Sequence, residues 1–159
     1  MFLTSDQLIE CVPNFSEGRN QQTIDAIAAS ISSIAEVKLM NMDIGFDANR
    51  TVYTFAGKPQ AVLEAAYQAI KTANERIDMR VHKGEHPRMG ACDVCPLIPL
   101  QNISMDEVVE LSRQLGKRVA DLGIPVYLYE YSATQEQRKN LAYLRKGEYE
   151  AIEGKIKLA

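Results

Sequence analysis

Both histidines of the chain fall inside one seven-residue stretch, His82-Lys83-Gly84-Glu85-His86-Pro87-Arg88, with a lysine, a glutamate and an arginine between and after them. Histidine changes charge near neutral pH, so a loop histidine among charged groups is suited to general-base work. The same residues also describe a loop in which a histidine merely hydrogen-bonds backbone and Arg88 pairs with Glu85; residue types leave both readings open. Cys92-x-x-Cys95 follows closely, so four zinc-ligand residue types lie in a short span. Gly84 and Pro87 oppose the helix that would aim both histidines at one ion. In an extended segment the odd spacing of Cys92 and Cys95 would send their sulfurs to opposite faces. No metal is expected.

Two other segments carry candidate chemistry. Asn14-Phe15-Ser16-Glu17-Gly18-Arg19-Asn20 leads into a helical pattern, where backbone N–H groups and Arg19 could receive an anion, although it lacks the glycine spacing of a phosphate loop. Ordinary helix capping explains it as well. Asp43, Asp47, Asn49 and Arg50 surround a short link, where turn formation is the common task of Asp and Asn. Arg50 stands apart, because a guanidinium suits bidentate carboxylate binding.

The elements that must position these residues are read from hydrophobic periodicity. Leu8 to Val12 is a short apolar run closed by Pro13-Asn14, as in a buried strand entering a loop. Ile24, Ile27, Ala28, Ile31, Ile34 and Ala35 trace a helical face between Asn20 and Ala35. Val37 to Asp43 and Arg50 to Phe55 read as an antiparallel pair of strands. Val62, Leu63, Ala66, Tyr67, Ile70, Ala73 and Ile77 trace a second helix that starts after Pro59.

Residues 78–90 lose the pattern and read as an ordered or functional loop. Val94 to Leu100, with Pro96 and Pro99, suits an edge or irregular strand. Ser104 and Glu107 form a capping box for a third helix, with Val108, Leu111, Leu115, Val119 and Leu122 on its apolar face and Gly123 at its end. Val126 to Tyr129 reads as a last strand. Short helices are expected from Leu141 to Arg145 and from Glu148 towards Ile156. The expected fold is α+β: a ferredoxin-like βαββαβ arrangement followed by an added α-β and C-terminal helices.

At 159 residues, with 46% hydrophobic and 25% charged side chains, the chain can bury one good core, and a single domain is expected. A net charge of −3 with scattered Lys and Arg gives no footprint for nucleic acid. No apolar stretch reaches the length of a membrane helix, and the first six residues carry no signal-peptide pattern. A cytoplasmic protein with no membrane partner is expected. Three cysteines, Cys11, Cys92 and Cys95, are an odd number and read as reduced thiols.

Three motifs taken together, Glu10-Cys11-Val12-Pro13-Asn14-Phe15-Ser16-Glu17-Gly18, Asn49-Arg50-Thr51-Val52-Tyr53-Thr54-Phe55 and His82 through Ala91, resemble the glutamate formiminotransferase family. Asp93-Val94-Cys95-Pro96 and Pro125 to Tyr129 extend the match, which runs from about Leu8 to Tyr149. The resemblance implies a ferredoxin-like N-terminal subdomain and transfer of a formimino group from N-formimino-L-glutamate to N5 of tetrahydrofolate, the co-substrate. It also implies that His82 is the catalytic residue. From residue types, Arg50, Lys83 and Arg88 are expected to hold substrate carboxylates, and Asn14, Ser16 and Asp43 complete the candidate substrate and folate contacts. The family's transferase unit has two such subdomains with folate in the cleft between them, so the C-terminal one is expected to be absent here. A sheet face that it would cover then needs another cover, and a homodimer or a separate C-terminal-subdomain partner is expected.

Overall fold

The structure, a computed structural model, describes residues 6–158. Met1 to Ser5, read above for a targeting signal, lie outside the described residues. The chain opens with β1 (Leu8–Cys11) and β2 (Asn14–Phe15), then α1 (Gln21–Ser32), β3 (Val37–Gly45), β4 (Arg50–Gly57) and α2 (Pro59–Arg76). A long loop leads to β5 (Cys92–Val94), β6 (Leu97–Gln101) and α3 (Met105–Ala120), and the chain ends in short turns, α4 (Leu141–Arg145) and α5 (Ile152–Leu158).

β1 and β2 are one strand broken at Val12-Pro13, and β5 and β6 are one strand broken at Cys95-Pro96, since a proline cannot donate to a ladder. β4 pairs antiparallel with β1, β2 and β3, while β1 pairs with β6 and β2 with β5. The result is a four-ribbon antiparallel sheet in which the first ribbon lies between the third and the fourth and the second lies at one edge. This is the ferredoxin-like order that the βαββαβ pattern predicts. The irregular edge strand expected at Val94 to Leu100 is β5 and β6.

Period-two alternation sends Ile9, Cys11, Phe15, Tyr53 and Phe55 to one face, where all are fully buried against Ile24, Ile27 and Ile31 of α1 and Val62, Ala66, Ala69 and Ala73 of α2. The alanines let α2 approach the sheet and α1 closely. Phe15 and Tyr53 meet edge to face at 5.5 Å. The Tyr53 hydroxyl donates to the Ile24 carbonyl at 2.9 Å, and burial pushes its ionisation well up, so it stays a neutral donor. Tyr53→Phe is expected to cost about 1 kcal/mol in urea denaturation. It removes one buried bond, and the helical carbonyl left behind keeps its own backbone partner.

Helix boundaries follow local chemistry. Asn20 caps α1 by accepting from the Thr23 N–H at 3.2 Å. That helix stops at Ser32, short of the predicted Ala35, and Glu36 then turns the chain at φ +67°. Pro59 opens α2, as expected. Ser104 accepts from the Glu107 N–H at 3.1 Å, completing the predicted cap of α3, whose buried side is Val108, Leu111, Leu115 and Val119.

One expected element does not form. Residues 124–129 carry no ladder pairing, so the strand expected at Val126 to Tyr129 is absent. Pro99, within β6, offers no N–H to the edge it would join, and the break at Cys95-Pro96 interrupts that edge. Val126 and Leu128 instead lay side chains against Gly116 of α3. Of the predicted tail helices, α4 spans Leu141–Arg145, while the second begins as a 3-10 turn at Tyr149–Ala151 before α5. Among the described residues no helix is long and apolar enough to cross a membrane.

Among the described residues no helix packs on the opposite sheet face. Asn14 pairs with Val52, and Val52 with Asp43, so Asn14, Val52 and Asp43 form one cross-strand row on that face. Ile98 and Leu100, beside β1, are exposed.

Candidate active site around His82

The three motif segments meet at one end of the sheet, and glycines allow the contact. An added Cβ on Gly18 would lie 2.2 Å from the Gly45 carbonyl oxygen, and one on Gly84 would lie 2.3 Å from that of Ala48. The loop after β2, the β3–β4 turn and the histidine loop therefore touch backbone to backbone. Glu17 tightens the first by accepting from the N–H groups of Arg19 and Asn20 at 2.9 and 2.8 Å. Thr51 Oγ1 donates to the Glu17 carbonyl at 2.7 Å.

Asn49 ties all three together. It closes the β3–β4 turn at φ +51°, a conformation asparagine tolerates better than most residues. Its Oδ1 accepts from the Gly18 N–H at 2.9 Å, its Nδ2 donates to the Lys83 carbonyl at 2.9 Å, and its own carbonyl contacts His82 Nε2 at 2.9 Å.

His82 is only 6% exposed, and both ring nitrogens are engaged. Arg88 Nε donates to Nδ1 at 3.2 Å. A guanidinium can only donate, and the Asn49 carbonyl can only accept, so the ring is a neutral imidazole with its proton on Nε2. The one lone pair available for proton abstraction faces Arg88.

Arg88, 8% exposed, does not pair with Glu85, the partner that proximity in sequence suggested. Its two terminal nitrogens fork onto Glu150 at 2.8 Å each, one also reaches Glu148 at 3.2 Å, and the other reaches the His82 carbonyl at 3.3 Å. With Nε on His82, every guanidinium N–H has a partner. The Tyr149 N–H donates to the Arg88 carbonyl at 3.1 Å, so residues 148–150 strap the loop.

A hydrogen bond from Arg88 holds the Glu150 carboxyl at about 2, well below its usual 4.5. A carboxyl depressed on folding stabilises most above its unfolded value, and that contribution shrinks as pH falls from about 4.5 toward 2. The Tyr149 amide resonance is therefore expected to hold its position from pH 8 to pH 5 and to drift only in acid. Glu150→Gln is expected to remove most of that acid drift.

His86 is held separately. Its Nε2 meets Arg50 at 2.6 Å and its Nδ1 meets the Pro87 carbonyl at 2.5 Å. Arg50 follows Asn49 directly, so it lies at the mouth of the same loop cluster. Ser16 is buried and bonded to the Gly90 carbonyl at 2.7 Å, a support for the loop rather than an open contact. Lys83 is exposed above the loop. Asn14 and Asp43 lie on the open face, two strands and about 10 Å apart.

Thus His82 and Arg88 are in direct contact, Arg50 meets His86 of the same loop and Lys83 is exposed next to His82, while Asn14 and Asp43 occupy the open sheet face and Ser16 holds the Gly90 carbonyl. Sequence reasoning gave Asn49 only a turn-forming role and missed Glu148 and Glu150. The first was findable from an asparagine at a hairpin link; the second had no local signal. Among the described residues no group of three or more His, Cys, Asp or Glu side chains is placed to hold a metal ion.

The comparisons with known proteins agree with this arrangement of motifs. Residues 8–159 match the family described as formiminotransferase domain, N-terminal subdomain. Over 154 residues the chain is 54% identical to a protein of Rattus norvegicus named formimidoyltransferase-cyclodeaminase, covering 96% of this chain and 28% of that one. It is 48% identical over 151 residues to glutamate formimidoyltransferase of Streptococcus pyogenes serotype M1, covering 94% and 50%. It is 46% identical over 153 residues to glutamate formimidoyltransferase of Thermoplasma acidophilum, covering 94% and 50%. The chain therefore spans about half the length of the two microbial relatives and little more than a quarter of the animal one. With a family match over nearly its whole length and a loop cluster built from the matching motifs, this chain belongs to the formiminotransferase N-terminal subdomain family.

Proposed function

We propose that this chain is the histidine-bearing subdomain of a glutamate formimidoyltransferase, moving a formimino group from N-formimino-L-glutamate to N5 of tetrahydrofolate. The observation that carries the reading is the convergence of three motif loops on a buried, neutral His82 flanked by Arg88. In the proposed reaction N5 attacks the amidine carbon and becomes cationic. His82 Nδ1 takes that proton and returns it to the glutamate nitrogen as the carbon–nitrogen bond to glutamate breaks.

That role requires the Nδ1 lone pair to leave Arg88. The substrate is itself a dicarboxylate, and Glu148 with Glu150 already presents two carboxylates to Arg88. A substrate carboxylate that displaces them would draw the guanidinium away from His82 and free the base as binding occurs. Arg50 and Lys83 would receive the second carboxylate, and Asn14 and Asp43 would meet folate.

The open sheet face would be covered in the working protein by a second copy or by a C-terminal-subdomain chain. Light scattering after size-exclusion chromatography that gives a clean monomer at high concentration counts against the second copy. The function is tested by a formimino-transfer assay on this chain, alone and mixed with a C-terminal subdomain from a related enzyme. No product in either arm overturns it. A second reading, a folate, small-molecule or protein-binding module without turnover, is favoured by the engagement of both His82 nitrogens. Calorimetric binding of formiminoglutamate or tetrahydrofolate with no product would support it.

A further inference from the structure

The three cysteines take no part in the proposed transfer, yet the structure brings them together. Cys11, the last residue of β1, is fully buried. Cys95 sits in the break between β5 and β6, where the Val12 N–H donates to the Pro96 carbonyl at 3.3 Å across the gap. Residues 92–95 are therefore not one extended segment, and the condition under which Cys92 and Cys95 would point to opposite faces is not met. The sulfurs of Cys11 and Cys95 lie 3.6 Å apart, although 84 residues separate them in sequence. Cys92 and Cys95 line a largely apolar cavity of about 870 Å³, bounded by α2, α3 and the segment from Ile124 to Ser132.

We propose that Cys95 is a peroxide-sensitive thiol that forms an intrachain disulfide with Cys11. The sulfurs must close from 3.6 Å to about 2.05 Å, a distance that side-chain rotation can supply where one partner lies outside the ladder. Cys92 is the competing partner: it also contacts Cys95, while its thiol donates to the Val94 carbonyl at 3.5 Å. Hydrogen bonds from Cys11 and Cys92 hold Cys95 below the usual thiol range, whereas burial first and then the contact with Cys95 raise Cys11. Cys95, which lines the cavity, is the sulfur that meets the oxidant, and Cys11, fully buried, is the thiol that resolves.

The steps balance with hydrogen peroxide as oxidant. The Cys95 thiolate attacks one peroxide oxygen, the S–O bond forms, the O–O bond breaks and hydroxide leaves, taking a proton from solvent. Cys95 is now a sulfenic acid. Cys11 sulfur then attacks Cys95 sulfur, the S–S bond forms and the S–O bond breaks. The departing hydroxide takes the Cys11 proton, so two thiols and one peroxide yield one disulfide and two waters. The small, neutral oxidant can reach Cys95 through the cavity.

The test is peptide mapping of the intact, reduced chain after limited hydrogen peroxide, alkylation and tryptic digestion without reductant. Cleavage after Arg19, Arg88 and Arg113 puts Cys11 in the peptide 1–19 and both Cys92 and Cys95 in the peptide 89–113. The expected product is these two peptides joined through Cys11 and Cys95, with the alkyl label on Cys92. Its yield is expected to fall about tenfold or more when the chain is first unfolded in urea, because proximity drives it. Cys92→Ser is expected to form the same link, and Cys95→Ser to leave Cys11 free to alkylate. A Cys11 that stays free in the wild-type chain, or a link confined to Cys92 and Cys95, overturns the proposal. The outcome is independent of transferase activity.

Discussion

Replacing His82 by alanine is expected to lower formimino transfer by about 10²- to 10⁴-fold, the range a positioned general base supplies. The measurement is initial rate with saturating tetrahydrofolate, for the chain in whichever of its two assay arms is active. Loss of rate alone would not separate chemistry from structure. His82 is buried, and its removal leaves the Asn49 carbonyl and Arg88 Nε each short of a partner. The discriminating readout is rescue: free imidazole should enter the vacated space and restore part of the rate, with a dependence on imidazole protonation. A variant that keeps its rate within about twofold would remove His82 from the mechanism, since a catalytic base cannot be dispensed with so cheaply.

Much of the scaffold that holds His82 is legible in the sequence because it is local. The helical stripe from Val62 to Ala73, the Ser104–Glu107 cap and the β-forming run from Arg50 to Phe55 each need only a few residues to express themselves, and all are realised. The failures are non-local. Val126 to Tyr129 has a strand's residues, but whether it pairs depends on the edge it would meet, and that edge is broken at Cys95-Pro96 and lacks an N–H at Pro99. The same holds in the site. The histidine loop and Arg50 are visible as residue types, whereas the partners of Arg88 lie some sixty residues later on an exposed strap with no motif of its own. The role of Asn49 was half visible: its turn conformation is local, but its bonds to Gly18 and Lys83 exist only once three distant segments have closed on one another.

That closure is most sensitive at Gly84. Gly84→Ala is expected to cost about 1–3 kcal/mol of stability and to lower transfer about 10²-fold or more, although neither atom of the new methyl's surroundings takes part in chemistry. The added Cβ would come 2.3 Å from the Ala48 carbonyl oxygen and 2.9 Å from the Asn49 Cβ. The carbonyl is backbone, and the β3–β4 turn that carries it is itself wedged against Gly18, so the turn has no room to yield. The histidine loop must lift instead. Lifting breaks the bond from the Glu85 N–H to the Asp47 carbonyl, the bond from Asn49 Nδ2 to the Lys83 carbonyl and the contact of His82 Nε2 with Asn49. The core between sheet and helices is untouched, so circular dichroism should stay native while urea midpoint and rate both fall. Gly154→Ala is the matched control: nothing lies within 4 Å of its added methyl, and a helical alanine there should be neutral or mildly stabilising. If Gly84→Ala and Gly154→Ala behave alike, the backbone contact does not position the histidine. If only the first loses activity, the loop cluster and not the ring alone sets the rate.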